Sequence, residues 1–355
     1  MKDTTKKGIL EKLDEGPVLG DGGYLLELEK RGRVRAGPFT PEVALENPEA
    51  LLELHREFRD AGSEVLQSLT FYASRDKLAT VGMGDRVEEL NRAAVRIARQ
   101  AAGNRCLVAG NISLTWLYEP NDKAAADRVR KTFDEQLDVQ ISEGVDFIIG
   151  ETFGYTQEAL LALDVIKQAG QVAVITLAAH KGRTREGWSW ANAARRLEQA
   201  GADVVGLNCT RGPASMLPLL AEMRKAVKCH MAALPVPYRT TRSRPSFQSL
   251  TDYGCGCLPG GHAFPIALDP FTCNRFEIAE FGTAADGMGI HYLGVCCGAG
   301  PHHVRALAEA VGKRPAATRY SADMSKHYLF GHATLGKTSR QKAEDRRFAK
   351  AIVQT

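Results

Sequence analysis

The 355-residue chain has no apolar run near the roughly 20 residues that a membrane-spanning helix needs. Its opening residues, MKDTTKK at 1–7, do not lead into the apolar stretch of a signal peptide. No Lys/Arg block interleaved with aromatics occurs and the net charge is only +4, so nucleic acid is not indicated as a partner. These absences point to a cytoplasmic protein without membrane or nucleic-acid partners. In a reducing compartment its eight cysteines read as thiols or metal ligands rather than disulfides.

What the chain does have is a core. Hydrophobic residues make up 44% and charged residues 25%, enough to fill two domains or one large barrel. Short apolar runs bounded by turn residues recur at 18–23 (VLGDGG), 65–70, 106–111, 145–151, 172–176, 203–209, 229–234 and 290–296. Between them lie amphipathic stretches of helix length at about 48–61, 85–102, 122–143, 156–169, 189–200, 213–227, 272–287 and 301–312. Strict alternation of eight strands with eight helices predicts a (β/α)8 TIM barrel over about 1–319, with 320–355 as a C-terminal arm.

In such a barrel the chemistry gathers where strands end, and here those ends carry Asp21, Ser68, Glu151, Cys209, Cys296 and Cys297. The run LGVCCGAG at 293–300 sets two adjacent cysteines before glycines. Neighbouring strand side chains point to opposite faces, so Cys296 and Cys297 serve one site only if the backbone turns, which Gly298 and Gly300 make easy. VVGLNC at 204–209 likewise stops at a cysteine. Three thiolates with an open fourth position match a catalytic zinc site, whereas structural zinc is closed by four protein ligands. Cys106, Cys229 and Cys273 read as small buried hydrophobes, and Cys255 and Cys257 in the long 236–270 loop as a weak second metal candidate.

The motifs GDGG at 20–23, LEKRG at 28–32, AGPFTPE at 36–42, TFYAS at 70–74, GLNC at 206–209 and GVCCG at 294–298 resemble the homocysteine S-methyltransferase family, most closely its betaine–homocysteine branch, over about 8–312. The resemblance implies a barrel, zinc on Cys209, Cys296 and Cys297, and methyl transfer to homocysteine to give methionine. It further implies that Asp21 and Glu151 face the homocysteine ammonium, that Ser68 and the Gly22 backbone lie near its carboxylate, and that Phe39 and Tyr72 contact a small methyl-onium donor. Ring faces attract such cations by about 0.5–2 kcal/mol each. Phe39 stands where the branch carries tryptophan, and Thr152 where it carries tyrosine, which leaves Tyr155 as a candidate for the resting fourth zinc ligand.

The chemistry fits that reading without an organic cofactor. A free thiol of pKa about 8.5 is only a few per cent thiolate at neutral pH, and coordination to zinc removes its proton. Glycine betaine is the favoured donor. A sulfonium such as dimethylsulfoniopropionate or S-methylmethionine is the alternative, since aromatic faces separate nitrogen and sulfur cations poorly. A folate donor would need a further domain for its pterin. A non-catalytic zinc or thiol sensor would have no use for Asp21 and Glu151 beside the cysteines. In the arm, His327, His332 and Arg340 are candidates for a donor carboxylate, and Tyr328, Leu329, Phe330, Phe348 and Ile352 call for a partner surface, so a homo-oligomer, dimer or tetramer, is expected.

Overall fold

A computed structural model describes residues 6–35, 41–254, 259–327 and 339–353. Phe39, Cys255, Cys257, Tyr328, Leu329, Phe330 and His332 lie outside the described residues, as do the side chains of Arg340 and Ile352. Met1–Ala316 forms one compact unit and Ala317–Thr355 a second.

The first unit holds eight parallel strands: β1 (Val18–Leu19), β2 (Val65–Gln67), β3 (Leu107–Ser113), β4 (Phe147–Phe153), β5 (Ala173–Leu177), β6 (Val204–Asn208), β7 (His230–Leu234) and β8 (Tyr292–Leu293). Their order, β1-β8-β7-β6-β5-β4-β3-β2, takes the sheet round a nearly closed TIM-like barrel. At the remaining seam the Glu64 N–H donates to the Leu19 carbonyl at 2.7 Å, and the Ser63 hydroxyl donates to the Gly20 carbonyl at 3.1 Å. Parallel pairing requires a crossover after each strand, and the expected helices supply it, among them Pro48–Ala61, Val87–Ala102, Lys123–Ser142 and Pro301–Ala310.

Inward residues Val18, Val65, Leu107, Phe147, Ile149, Val174, Val204 and Tyr292 fill the barrel interior, and the short helix Ile9–Glu15 packs Ile9 and Leu13 onto them. A larger apolar layer joins the outer strand faces to the helices. A barrel filled by side chains in this way is a packed core with no pore, which leaves the strand-end loops as the place for a site. No helix among the described residues is long and apolar enough to cross a membrane.

The strands expected at 18–23, 65–70 and 290–296 are shorter than the apolar runs that announced them. The run at 290–296 pairs only at Tyr292–Leu293; beyond it the Val295 N–H donates to the Asp21 carbonyl at 3.2 Å and the Cys296 N–H to the Pro235 carbonyl at 2.8 Å. The chain thus leaves the ladder to cross the barrel mouth, and the apolar residues past Leu293 are buried by loops. The helix expected at 213–227 ends at Arg224.

The second unit contains the helix Ser339–Val353 and two short turns of 3-10 helix. Tyr320, Met324 and Phe348 expose large apolar side chains on it.

Candidate active site at the barrel mouth

At the C-terminal ends of the strands lies a cavity of about 400 Å³, lined among others by Asp21, Gly22, Ser68, Tyr72, Glu151, Cys209, Cys296 and Cys297. Asp21, Gly22, Ser68, Tyr72, Glu151 and the three cysteines therefore line one cavity, while Phe39 lies outside the described residues.

The cysteines converge through two turns. Cys209 follows β6 directly and, like Thr210, takes a left-handed backbone with φ 54°. That conformation is costly for a residue with a Cβ, and outliers of this kind collect at functional sites. It is held by the Cys209 N–H on the Leu234 carbonyl at 2.9 Å and by the Phe247 N–H on the Thr210 carbonyl at 2.9 Å. Buried Arg211 adds a bond from Nε to the Ala179 carbonyl at 2.6 Å. On the other side the chain reverses at Gly298, φ 85°, where any Cβ would collide with the Tyr238 hydroxyl.

The three Sγ atoms lie within 4.8 Å of one another, with Cys209–Cys297 and Cys296–Cys297 both at 3.8 Å. A tetrahedral ion with metal–sulfur bonds of about 2.3 Å separates neighbouring sulfurs by about 3.8 Å, so the cluster has the dimensions of three corners of a zinc tetrahedron. Cys297 accepts from both other thiols, which holds its pKa well below the ordinary thiol value, while Cys209 and Cys296 are raised. The loop after β7 covers the cluster: Val236, Tyr238, Phe247, Leu250 and Leu268 form an apolar group with Cys209, and the Tyr238 and Phe247 rings stack at 5.7 Å. The described part of the 236–270 stretch, opaque in the sequence, thus forms an apolar wall beside the sulfurs.

Both carboxylates are buried and share a partner. Asp21 Oδ2 accepts from the Gln67 N–H at 2.7 Å and from the Tyr24 hydroxyl. Glu151 Oε1 accepts from Gln67 Nε2 at 2.6 Å and Asn111 Nδ2 at 2.8 Å, and its Oε2 accepts from Asn208 Nδ2 at 2.6 Å. Burial outweighs these bonds and pushes each carboxyl up to about 7. Such a pair is poised for a cation that would keep both ionised. Behind Asp21, the Tyr24 hydroxyl accepts from His55 Nδ1 at 2.7 Å; burial drives His55 down to about 3, so its ring is neutral.

Gly22 sits where the β1 end presses on its surroundings: a Cβ there would meet the Phe58 ring and lie 2.6 Å from the Ala299 carbonyl. Gly22→Ala is accordingly expected to cost about 1–3 kcal/mol through overpacking. Thermal unfolding followed by circular dichroism should show a midpoint several degrees lower, and an unchanged midpoint would show that the contact relaxes freely. Ser68, 1% exposed, shares a hydrogen bond with the Thr70 hydroxyl at 3.1 Å.

Several groups at the cavity escape a sequence reading. Asn208 stands inside the GLNC motif and Gln67 inside the 65–70 run, and their positions before Cys209 and Ser68 were the available signal. Lys77 had none, because the segment RDKLA reads as a solvated helix; its Nζ nevertheless donates to the Phe71 carbonyl at 2.8 Å and to Ser113 Oγ at 2.7 Å. Burial lowers its pKa to about 8, and it lies 4.6 Å from the Phe71 ring centre and 5.5 Å from that of Tyr72. Trp116 and Arg185 also line the cavity. Tyr155 does not: its ring packs on Tyr118 at 5.1 Å, and its backbone takes the N-cap position of the helix Thr156–Gln168 without a side-chain capping bond. Cys106 and Cys273 are buried as expected, but Cys229 is partly exposed, and its N–H donates to Glu198.

Comparison with known proteins agrees with this layout. Betaine–homocysteine S-methyltransferase 1 of Danio rerio is 41% identical over 314 residues, spanning 86% of this chain and 76% of the relative. S-methylmethionine–homocysteine S-methyltransferase BHMT2 of Pongo abelii is 36% identical, spanning 86% and 81%. The metallated form of the homocysteine methyltransferase MmuM from Escherichia coli shares the fold, with a TM-score of 0.66 at 17% identity over 84% of this chain and 98% of that one. The family model described as Homocysteine S-methyltransferase matches residues 18–311. From the barrel, the three-sulfur cluster and these matches together, the chain belongs to the homocysteine S-methyltransferase family.

Proposed function

We propose that this protein transfers a methyl group from a small onium donor, glycine betaine in the first instance, to the sulfur of homocysteine, with zinc held by Cys209, Cys296 and Cys297. The observation that carries the proposal is the meeting of a zinc-sized sulfur cluster and two buried carboxylates in one cavity. When bound, zinc supplies the Lewis acidity that keeps an acceptor thiol deprotonated at neutral pH.

The chain's own residues do the rest. Asp21 and Glu151 take the homocysteine ammonium, held in place by Gln67, Asn111 and Asn208. The backbone at Gly22 and the small Ser68 leave room for its carboxylate. Tyr72, with Trp116 and Phe71 nearby on the wall and Phe39 as a further ring from the 36–42 motif, offers faces to the methylated cation. In the transfer the acceptor sulfur attacks a donor methyl carbon in line. A sulfur–carbon bond forms as the nitrogen–carbon bond breaks, the electron pair stays on the dimethylglycine nitrogen, and the thiol proton has already gone to solvent. Alignment of the two substrates beside the apolar wall of Val236, Tyr238, Phe247 and Leu250 lowers the barrier.

A sulfonium donor is the second reading, favoured by the 36% identical relative whose name specifies S-methylmethionine. Incubating zinc-loaded protein and homocysteine with glycine betaine, dimethylsulfoniopropionate or S-methylmethionine and quantifying methionine decides between them: betaine should give the highest kcat/KM. A higher value for either sulfonium would replace the assignment, and no methionine from any donor would end it. Catalysis needs reduced cysteines, which suits the cytoplasm.

The segment 320–355 is proposed as an oligomerisation arm that supports donor binding in a dimer or tetramer. The exposed Tyr320, Met324 and Phe348 support this, since such a surface gains by burial against a second copy. Light scattering should find an oligomer for the full chain and a smaller species, weaker in donor use, for a chain ending at Arg319. Two monomers of equal activity would contradict the proposal.

A further inference from the structure

We infer that Arg185 is the anchor for a carboxylate on the methyl donor, so that the site selects zwitterionic onium compounds over simple onium cations. The inference rests on the proposed function and deepens it by naming the donor class.

Charge is distributed unevenly around the cavity. Its inner end carries the sulfurs of Cys209, Cys296 and Cys297 with Asp21 and Glu151, all acidic groups. A donor must point its methyl carbon at the sulfurs and its onium centre at the rings of Tyr72 and Trp116. An attached carboxylate is repelled by the acidic inner end and must face the other way. Among the described residues, two side chains on the lining carry a permanent or near-permanent positive charge, Lys77 and Arg185. Lys77 is buried, and its ammonium is engaged by the Phe71 carbonyl and the Ser113 hydroxyl.

Arg185 differs on each count. Among the described residues its guanidinium makes no hydrogen bond and no ion pair, so its five donors are open to a ligand. Glu158, the acidic group whose charge it feels, already accepts from the Thr115 N–H at 2.6 Å and the Thr115 hydroxyl at 2.8 Å. Arg185 is also set in position. Its N–H donates to the Gly154 carbonyl at 3.0 Å, and its side chain lies across the bare face of Gly154, where an added Cβ would come 3.0 Å from Nε. The guanidinium carbon sits 5.2 Å from the Tyr155 ring centre. The turn that carries it is closed by the Thr184 N–H on the Trp188 carbonyl at 3.0 Å, and Glu186 fastens it to the Gln157 N–H at 2.9 Å. A planar fork fixed at the cavity edge suits bidentate capture of a carboxylate, which an ammonium would hold only as a point charge.

Steady-state kinetics of Arg185→Gln and Arg185→Lys with homocysteine test this. Arg185→Gln should raise KM for glycine betaine about tenfold or more, the usual scale for losing a charge-assisted hydrogen-bonded pair. Its kcat and its KM for homocysteine should stay within about twofold, and Arg185→Lys should recover part of the loss. Carboxylate-free trimethylsulfonium, tried as substrate and as competitive inhibitor, should be used or bound equally by both forms. An unchanged KM for betaine in Arg185→Gln, or an Arg185→Lys variant no better than Arg185→Gln, overturns the anchor while leaving the methyl transfer intact. A wild-type enzyme that makes no methionine from any onium donor instead overturns the proposed function and the anchor with it.

Discussion

Cys297→Ala protein is expected to purify with less than about a tenth of the zinc of the wild type and with no measurable methyl transfer, while keeping its barrel. Its sulfur is the one within 3.8 Å of both other cysteines, so removing it opens two edges of the cluster at once. A structural zinc site is stabilised by roughly 10–16 kcal/mol in all, and losing one of only three protein ligands removes several kcal/mol of that. Without the metal the acceptor thiol falls back to a few per cent thiolate at neutral pH. The barrel should survive because Cys297 lies on a mouth loop, outside the layers that hold strands to helices. Metal analysis by plasma mass spectrometry with far-ultraviolet circular dichroism checks both halves. Full zinc occupancy in this variant would remove Cys297 from the ligand set.

Glu151→Gln should raise KM for homocysteine by about ten- to a hundredfold, the scale of truncating one partner of a buried charge pair, with little change in KM for the donor. The substitution does more than remove a charge. Glu151 accepts from three amide nitrogens, whereas glutamine has one acceptor oxygen and must turn its own NH2 toward a donor. The pH dependence separates the two effects. With Asp21 and Glu151 both raised to about 7, an ammonium binds best when they are ionised, so KM for homocysteine should climb as pH falls below about 7. Glu151→Gln should make that climb shallower. The stability of the unliganded protein carries the opposite sign. A carboxyl whose pKa is raised on folding favours the native state below its unfolded value, and this contribution is lost as pH rises through about 7. Chemical denaturation at pH 6 and pH 8 should therefore find these two groups favouring the lower pH, unless ligand is present. A homocysteine KM that is flat from pH 6 to 8 would show that the carboxylates do not meet the ammonium.

Much of this architecture was legible because buried parallel strands announce themselves as short apolar runs, and their crossover helices by period. The cysteines were legible because a Cys-Cys-Gly run has one cheap way to put adjacent side chains on one site, the left-handed turn found at Gly298. The limits have physical causes too. The 290–296 run is apolar for two reasons, ladder burial at Tyr292–Leu293 and loop burial beyond it, and hydropathy does not separate them. Lys77 and Arg185 sit in charged segments that read as solvent-facing, and only tertiary packing brings them to the cavity. Tyr155 is absent from the cavity lining, its ring turned onto Tyr118 at the start of the helix that follows β4.

The most direct measurement uses glycine betaine deuterated in its N-methyl groups, with homocysteine and the zinc-loaded enzyme. Mass spectrometry should find methionine heavier by one intact trideuteromethyl group, formed in step with dimethylglycine, lost after chelation and restored by zinc. Unlabelled methionine, or labelled methionine undiminished by thorough removal of the metal, would contradict zinc-dependent methyl transfer at this site.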